Sequence, residues 1–354
     1  IAQRNRSPEQ LARQMFQLRD TNGDRRLSRR EFPLTHSFDE VDTNKDGSVT
    51  LKEEIAFRRA RLKRAFEQRR QRQAPLPEGA VAHRDLVYAK IGEREMPLDI
   101  YLPKSDDPPP VVMWVHGGAW RGGGKGNAGP ARILVDHGYA VVDVEYRLSG
   151  EAIFPAQIQD CKAAVRWIRA NAKKYSLDAD RIGVWGSSAG GHLVALLGTS
   201  GDIAEFETES NANFSSRVQA VCDWFGPTDL LQMNKQAIPF STLDHNAPDS
   251  PESQLVGGPI QQEPYRSLAR KANPISYISK DDPPFLIVHG DQDKLVSHRQ
   301  SEILLEALMK AGVESKLQIE PGAGHGFGGG PTSKEELAQQ AAKFFDKHLK
   351  VQSK

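Results

Sequence analysis

Short, uninterrupted apolar runs alternate with longer segments of helical periodicity between residues 80 and 354. Apolar runs of this kind are typical of strands that are buried on both faces of a sheet. Strands are predicted at residues 85–89, 98–102, 111–116, 140–146, 181–185, 220–225, 285–289 and 316–319, and helices at 156–175, 192–198, 297–311 and 335–349. This alternation indicates an α/β fold, in which helices cover both faces of a mostly parallel sheet.

The most specific chemical pattern is Gly186-Ser187-Ser188-Ala189-Gly190, a G-x-S-x-G sequence between a predicted strand and a predicted helix. The pattern alone is common, and elsewhere it would indicate an ordinary Gly/Ser loop. Between a strand and a helix it predicts a nucleophile elbow, a strained turn that presents the hydroxyl of Ser188 at the end of the sheet.

Two further strands end in the residue types that a serine nucleophile needs. A serine hydroxyl attacks only when a base takes its proton and a third group orients that base. The run at residues 285–289 leads into Asp291 and Asp293, and the run at 316–319 leads into His325. Each of these alone would be an ordinary surface residue. Their order after Ser188 predicts the triad Ser188, Asp293 and His325, with Asp291 as the competing acid.

The run at residues 111–115 ends in His116-Gly117-Gly118-Ala119-Trp120. Glycines at this place allow backbone N–H groups to point at an oxyanion, together with the N–H of Ala189 after the nucleophile. The sequence therefore predicts an oxyanion hole at Gly117, Gly118 and Ala189. Residues 231–272 show no clear period, and we expect them to cover part of the site.

Four motifs together resemble those of a known family, and they span the chain from about residue 80 to its end. The motifs are His116-Gly117-Gly118, Gly186-x-Ser188-Ala189-Gly190-Gly191, His289-Gly290-x-x-Asp293 and Gly324-His325-Gly326. They are similar to α/β-hydrolases of the hormone-sensitive-lipase and bacterial feruloyl/acetylxylan-esterase type. The resemblance implies an α/β-hydrolase fold and a serine carboxylic-ester hydrolase that removes acetyl or other acyl groups from a carbohydrate. It also favours Asp293 over Asp291 as the acid. Ser187 departs from the family, because lipase-like members often carry Asp or Glu there.

The first 72 residues contain a different kind of motif. Residues 42–53 fit the EF-hand loop, with oxygen ligands at the first, third and fifth places, Gly47 at the sharp turn and a closing Glu53. The alternative is an acidic turn without a metal. The predicted Ca²⁺ site consists of Asp42, Asn44, Asp46, Ser48 and Glu53.

Residues 20–31 are an imperfect copy of the same loop, so the two form an internal repeat. The predicted site residues are Asp20, Asn22, Asp24, Arg26 and Glu31. Arg25 stands where glycine is wanted, at a backbone position that favours positive φ. We therefore expect this loop to bind Ca²⁺ more weakly than the other.

A basic, helix-like segment follows the second loop. Its cations are Arg58, Arg59, Arg61, Lys63, Arg64, Arg69, Arg70 and Arg72. A solvated helix face is the ordinary interpretation, and attraction to an anionic glycan or surface is the alternative. Proline-rich residues 73–79 then predict a linker. The predicted organisation is an all-α EF-hand pair at 1–72, a linker at 73–79 and a hydrolase domain at 80–354.

Composition and charge bear on the binding partners and the location of the protein. The chain has 354 residues and a formal net charge of +1, which does not favour nucleic-acid binding. No apolar run is long enough to span a bilayer. Cys161 and Cys222 fall in separate core elements and are expected to be buried thiols. The chain opens at Ile1 without Met, so we expect a removed signal peptide and a secreted or periplasmic protein, where calcium is abundant.

Three functions remain open from the sequence. The first is a serine esterase that uses Ca²⁺ only for structure. The second is a serine peptidase of the prolyl-oligopeptidase type, although Ala189 stands where those enzymes usually have Tyr and no propeller-sized domain is present. The third is a non-catalytic, calcium-responsive binding protein, which would require the loss of a triad member. The esterase is the favoured interpretation.

Overall fold

The computed structural model describes residues 16–17, 19–32, 38–57, 60, 76–201, 203–241 and 243–350. The chain divides into two compact units, residues 1–73 with 150–152, and residues 74–149 with 153–354. Leu76 of the predicted linker packs against the core of the larger unit, as does Ala80 at the start of the predicted hydrolase domain. The eight cations of the predicted basic segment lie outside the described residues.

The larger unit is built on an eight-stranded sheet that agrees with the predicted strands. Its strands are β3 (Val81–Ile91), β4 (Arg94–Leu102), β5 (Pro110–Val115), β6 (Ala140–Val144), β7 (Asp178–Ser187), β8 (Ala220–Trp224), β9 (Phe285–Gly290) and β10 (Ser315–Glu320). The spatial order is β10-β9-β8-β7-β5-β6-β4-β3. The six strands from β10 to β6 pair in parallel, and β4 and β3 continue the sheet antiparallel. The prediction of a mostly parallel α/β sheet is confirmed.

Helices cover the sheet where amphipathic segments predict them. The α-helices of the larger unit are Ala156–Ala170, Ala172–Tyr175, Ala189–Thr199, Met233–Gln236, Pro251–Val256, Tyr265–Lys271, Arg299–Ala311 and Lys334–Leu349, and its 3-10 helices are Gly129–Val135, Ala204–Phe206, Pro274–Tyr277 and His325–Phe327. The helix predicted at 156–175 is interrupted at Asn171. Residues 231–272 hold three short helices, which are too short for a helical period to show in the sequence.

Side chains alternate between the two faces of the sheet because successive residues of a strand point in opposite directions. Val111, Met113 and Val115 of β5 pack in one apolar core, whereas Val112 and Trp114 pack in another on the opposite face. The helix Ala189–Thr199 contributes to the first core, and Lys334–Leu349 contributes to the second. Both faces are therefore covered, and the carboxyl ends of the parallel strands are left to form a site.

The smaller unit has its own apolar cluster, formed by Phe16, Leu27, Phe32, Phe38, Val41 and Val49. Its described elements are the helix Phe38–Val41 and the antiparallel pair of β1 (Arg26–Leu27) and β2 (Val49–Thr50). In this pair Leu27 faces Val49, so the two predicted loops are joined by the β-contact that is usual between paired EF-hand loops. The presence of strands means that the unit is not purely helical.

Cys161 and Cys222 are both buried and free, as expected. Among the helices of the described residues, none is long and apolar enough to cross a membrane.

Candidate active site

The predicted elbow connects β7 to the helix Ala189–Thr199. Ser188 lies between them with φ 55° and ψ −122°, a conformation that is strained for a residue with a side chain. Its N–H donates to the carbonyl of Trp224 on β8. The turn is tight enough that a Cβ on Gly190 would lie 2.0 Å from the carbonyl oxygen of Val115. Only glycine fits at that position.

The structure brings the three predicted triad residues into contact. The Oγ of Ser188 lies 3.1 Å from Nε2 of His325, and Nδ1 of His325 lies 2.7 Å from Oδ2 of Asp293. Asp293 is buried, while His325 and Ser188 are half-buried. A base in hydrogen-bond contact with both a nucleophile and a buried carboxylate is the arrangement that activates a serine hydroxyl.

The structure also separates the two candidate acids. Oδ1 of Asp293 accepts hydrogen bonds from the N–H groups of Leu295 and Val296, both at 2.9 Å, which leaves Oδ2 to face His325. Asp291 instead accepts the N–H of Gly322 at 2.7 Å. Asp291 thus closes a turn between two loops, and Asp293 is the carboxylate that contacts the histidine.

A second histidine contacts the same carboxylate, and the sequence did not reveal its role. His289 at the end of β9 is fully buried, and its Nε2 lies 3.3 Å from Oδ2 of Asp293 and 2.8 Å from the carbonyl oxygen of Val296. Ser301 lies 2.7 Å from its Nδ1. Burial raises the pKa of Asp293, but the hydrogen bonds from His289 and His325 outweigh it and hold this pKa well below its usual range. The acid is therefore ionised at neutral pH.

The predicted oxyanion residues lie beside the nucleophile. A Cβ on Gly117 would stand 3.3 Å from Cβ of Ser188, and Gly118 has φ 122° with the carbonyl of Gly122 folded against it. Ala189 is the first residue of the helix that follows Ser188, so its N–H lies at the positive end of that helix. Gly117 and Ala189 thus lie beside Ser188, and the role of Gly117, Gly118 and Ala189 as oxyanion donors stays a prediction.

The loop after Gly118 donates two hydrogen bonds to a buried carboxylate that is not among the site residues predicted from the sequence. Oδ2 of Asp143 on β6 accepts the N–H of Gly126 at 2.6 Å and the N–H of Ala128 at 2.8 Å. Burial raises the pKa of Asp143 to about 7. Nearby, Nζ of Lys125 lies 2.7 Å from carboxylate oxygens of both Asp85 and Asp99.

In the smaller unit, the two predicted calcium loops repeat the same hydrogen bonds. Asp20 accepts from the N–H groups of Asp24 and Arg25, and Asp42 accepts from those of Asp46 and Gly47. The φ angles at the sharp turn are 62° at Arg25 and 82° at Gly47, which confirms the predicted positive φ.

The glutamates at the last position of the two loops accept equivalent hydrogen bonds. Glu31 accepts from Thr21 and Ser28, and Glu53 accepts from Thr43 and Thr50. The hydrogen bond from the Ser28 hydroxyl is the main cause that lowers the pKa of Glu31 to about 2.

The donor set of these loops fits Ca²⁺ in its chemistry, because Ca²⁺ prefers carboxylate, amide and carbonyl oxygens. Asn22 and Asn44 bond to Asp24 and Asp46 within their own loops, and Arg26 bonds to Asp46 and Ser48 across the pair. In the part of the chain that the structure describes, no group of three or more His, Cys, Asp or Glu side chains is gathered as a metal site. Calcium binding therefore stays a prediction.

The larger unit has the α/β-hydrolase fold, with Ser188, His325 and Asp293 in the arrangement of a Ser–His–Asp triad. A family profile gives the narrower assignment: BD-FAE matches residues 98–308, and the chain belongs to that family.

Two curated relatives come from Mycobacterium tuberculosis. Esterase LipC is 31% identical over 274 residues, which cover 72% of this chain and 64% of LipC. Esterase LipQ is 34% identical over 275 residues, which cover 74% of this chain and 61% of LipQ. The chain thus spans less than two thirds of the length of these relatives.

Among solved structures, a truncated form of a carbohydrate esterase from gut microbiota is similar, with 32% identity and a TM-score of 0.64. The match covers 75% of this chain and 95% of that one.

Proposed function

We propose that the protein hydrolyses carboxylic esters of an acylated carbohydrate, through an acyl-enzyme on Ser188. The contact of Ser188, His325 and Asp293 is the single observation that carries the ester hydrolysis. The carbohydrate part rests on the similarity to a carbohydrate esterase over most of both chains.

The contacts of the triad support a role for each of its residues in the proposed reaction. His325 Nε2 takes the proton of Ser188 as Oγ attacks the ester carbonyl, and Asp293 stabilises the imidazolium that forms. The oxyanion is held by the backbone donors of the Gly117–Gly118 turn and of Ala189. His325 then returns the proton to the departing alcohol. A water molecule then attacks the carbonyl of the acyl-enzyme, while His325 takes its proton and returns it to Ser188, and the carboxylic acid is released.

We infer that the smaller unit binds Ca²⁺ for structure rather than for catalysis. Ester hydrolysis by a serine nucleophile needs no metal, since N–H groups hold the oxyanion and a histidine moves the proton. The predicted ligands all lie in the loops at residues 20–31 and 42–53, and none belongs to the triad. Calcium loops and an acylated polysaccharide substrate both suit a secreted or periplasmic location.

The test compares an acetyl ester with an amide of the same acyl group, and then measures acetate release from acetylated polysaccharides. We expect turnover of the ester, little turnover of the amide and acetate release from the polymer, all lost in Ser188→Ala. Equal turnover of ester and amide would support a peptidase instead. Turnover of small esters without release from any acylated polysaccharide would contradict the carbohydrate part alone.

A further inference from the structure

An ion pair joins the two predicted calcium loops of the smaller unit. Nη1 of Arg26 lies 2.9 Å from Oδ2 of Asp46 and 2.7 Å from Oγ of Ser48. Arg26 is the seventh residue of the loop at 20–31, whereas Asp46 and Ser48 are the fifth and seventh residues of the loop at 42–53. A cation of the first loop therefore contacts two predicted calcium-site residues of the second.

The backbone of Arg26, in contrast, remains part of its own loop. Its N–H donates to Oδ1 of Asp24 at 2.8 Å, and the residue pairs with Thr50 in the short antiparallel sheet between the loops. The seventh residue of an EF-hand loop binds Ca²⁺ through its backbone carbonyl, so its own site does not need the side chain. The guanidinium is thus free to serve the neighbouring loop, and the strand pairing holds it close to that loop.

Asp46 uses one carboxylate oxygen for its own turn and the other for the guanidinium. Oδ1 accepts the N–H of Ser48 at 2.9 Å and its hydroxyl at 2.8 Å. Oδ2 accepts from the side-chain amide of Asn44 at 3.1 Å and from Arg26. Asn44 is itself a predicted ligand, so the oxygen that Arg26 contacts is the one that lies beside a second predicted ligand.

The second loop offers no equivalent cation to the first. Its seventh residue is Ser48, which has a short and neutral side chain and cannot place a charge on Asp24. Asp24 instead accepts from the side-chain amide of Asn22 and from the N–H of Arg26. The loop that has glycine at its sharp turn, Gly47, is therefore the one that receives a guanidinium from its neighbour.

We propose that the guanidinium of Arg26 competes with Ca²⁺ for Asp46 and lowers the affinity of the loop at 42–53 for the metal. The proposal rests on the proposed function, in which this loop binds Ca²⁺. A guanidinium that is bonded to a ligand carboxylate either breaks that bond when Ca²⁺ binds or stays beside a divalent cation, and both outcomes oppose binding. Because arginine does not lose its proton in proteins, the competition does not depend on pH near neutrality.

The exposure of the pair limits the size of the effect. The side chains of Arg26 and Asp46 are 52% and 34% exposed, so water screens the attraction between them. Exposed ion pairs contribute up to about 1 kcal/mol, which is equivalent to about fivefold in a binding constant. We therefore expect the affinity of the loop to rise about fivefold when the charge of Arg26 is removed, with the fold retained because the side chain is not part of the apolar cluster.

The test measures Ca²⁺ binding to the full chain by isothermal titration calorimetry, after the metal has been removed with a chelator. Glu31→Gln weakens the first loop and Glu53→Gln weakens the second, so each variant reports mainly the other loop. In the Glu31→Gln chain, Arg26→Gln should raise the affinity about fivefold, whereas Arg26→Lys, which keeps the charge, should change it less than about twofold. In the Glu53→Gln chain, Arg26→Gln should also change the affinity less than about twofold.

The matched control is Arg29→Gln. It removes the same charge from the first loop, but Arg29 pairs with Asp39, which precedes the second loop and is not a predicted ligand. We expect this variant to change the affinity of either loop less than about twofold. Added salt should reduce the gain from Arg26→Gln, because salt screens exposed charges. Melting temperatures measured with the chelator show whether each variant is folded.

Three results would overturn the proposal. A lower affinity of the loop at 42–53 in Arg26→Gln would show that the ion pair prepares the loop for the metal. An equal rise in Arg29→Gln, or an equal rise at both loops, would show that net charge alone is the cause. An unchanged affinity in folded Arg26→Gln would show that the guanidinium does not compete. Absence of Ca²⁺ binding by the native chain and by every variant would instead contradict the calcium part of the proposed function.

Discussion

The replacement Asp293→Asn tests the assignment of the catalytic acid, because the structure fixes how the new amide must lie. The N–H groups of Leu295 and Val296 both donate to Oδ1, so the carbonyl oxygen of the asparagine keeps that place. The NH₂ group then occupies the position of Oδ2, where it faces Nδ1 of His325 and Nε2 of His289. The new NH₂ group would then face the N–H groups of both His289 and His325, and donors cannot bond to one another. His325 avoids this contact by carrying its proton on Nε2.

A histidine protonated on Nε2 cannot accept the proton of Ser188. The corresponding change in a serine protease lowers kcat about 10⁴-fold, equivalent to about 5.5 kcal/mol of transition-state stabilisation. We expect a loss of that order in kcat on 4-nitrophenyl acetate, with the fold retained because both backbone hydrogen bonds to Oδ1 remain.

The matched control is Asp291→Asn, two residues away. Its amide oxygen still accepts the N–H of Gly322, so we expect less than about threefold loss of kcat. Both variants should melt within a few degrees of the native chain. If Asp291→Asn is the more damaging of the two, or if Asp293→Asn retains a tenth of native activity, the assignment of the acid is wrong.

The remaining predictions concern pH and calcium. Because the pKa of Asp293 is held well below its usual range, protonation of this carboxylate should not contribute to the loss of kcat/KM on mild acidification; an acid limb with two ionisations in the mildly acidic range would contradict this. Burial raises the pKa of Asp143 to about 7, against about 3.9 in an unfolded chain. Between these two values the folded state binds more protons than the unfolded state. The contribution of this group to the free energy of unfolding is therefore present below about pH 4 and is lost as the pH rises to about 7. Asp143→Asn should therefore make the pH slope of the unfolding free energy less negative by up to about 1.4 kcal/mol per pH unit in urea titrations, and an unchanged slope would contradict the shift. Calcium should raise the melting temperature, and Glu53→Gln should reduce this increase more than Glu31→Gln does. Turnover of a small ester should change little in either variant. Complete, reversible loss of that turnover on chelation, with the hydrolase unit still folded, would show that calcium acts in catalysis as well as in stability.

Much of the fold followed from local patterns in the sequence. The inner parallel strands are buried on both faces and contain apolar runs, and the runs before Ser188 and Asp293 predicted β7 and β9 closely. The elbow was predictable because its glycines and its strand–helix context are adjacent in the chain. Ends of helices were less exact, and the break at Asn171 left no mark in the apolar pattern.

What the sequence did not reveal depends on contacts between distant segments. Gly126 and Ala128 lie 17 and 15 residues before Asp143 in the chain, and no periodicity indicates that their N–H groups donate to its carboxylate. The role of His289 was equally hidden, because its motif shows the spacing to Asp293 but not the direction of its ring. A cavity of about 600 Å³ beside the triad is lined by separate segments of the chain between Leu76 and Ala338, so no single stretch predicts it.

The backbone at Ser188 shows where this chain gives up stability for activity. Its φ of 55° and ψ of −122° cost of the order of 1–3 kcal/mol for any residue that carries a Cβ, and the surrounding strand and helix must compensate. Glycine alone would relax there, yet glycine has no nucleophile. Selection for thermal stability alone would therefore favour a chain that folds better and catalyses nothing, and only selection for turnover keeps a serine at this position.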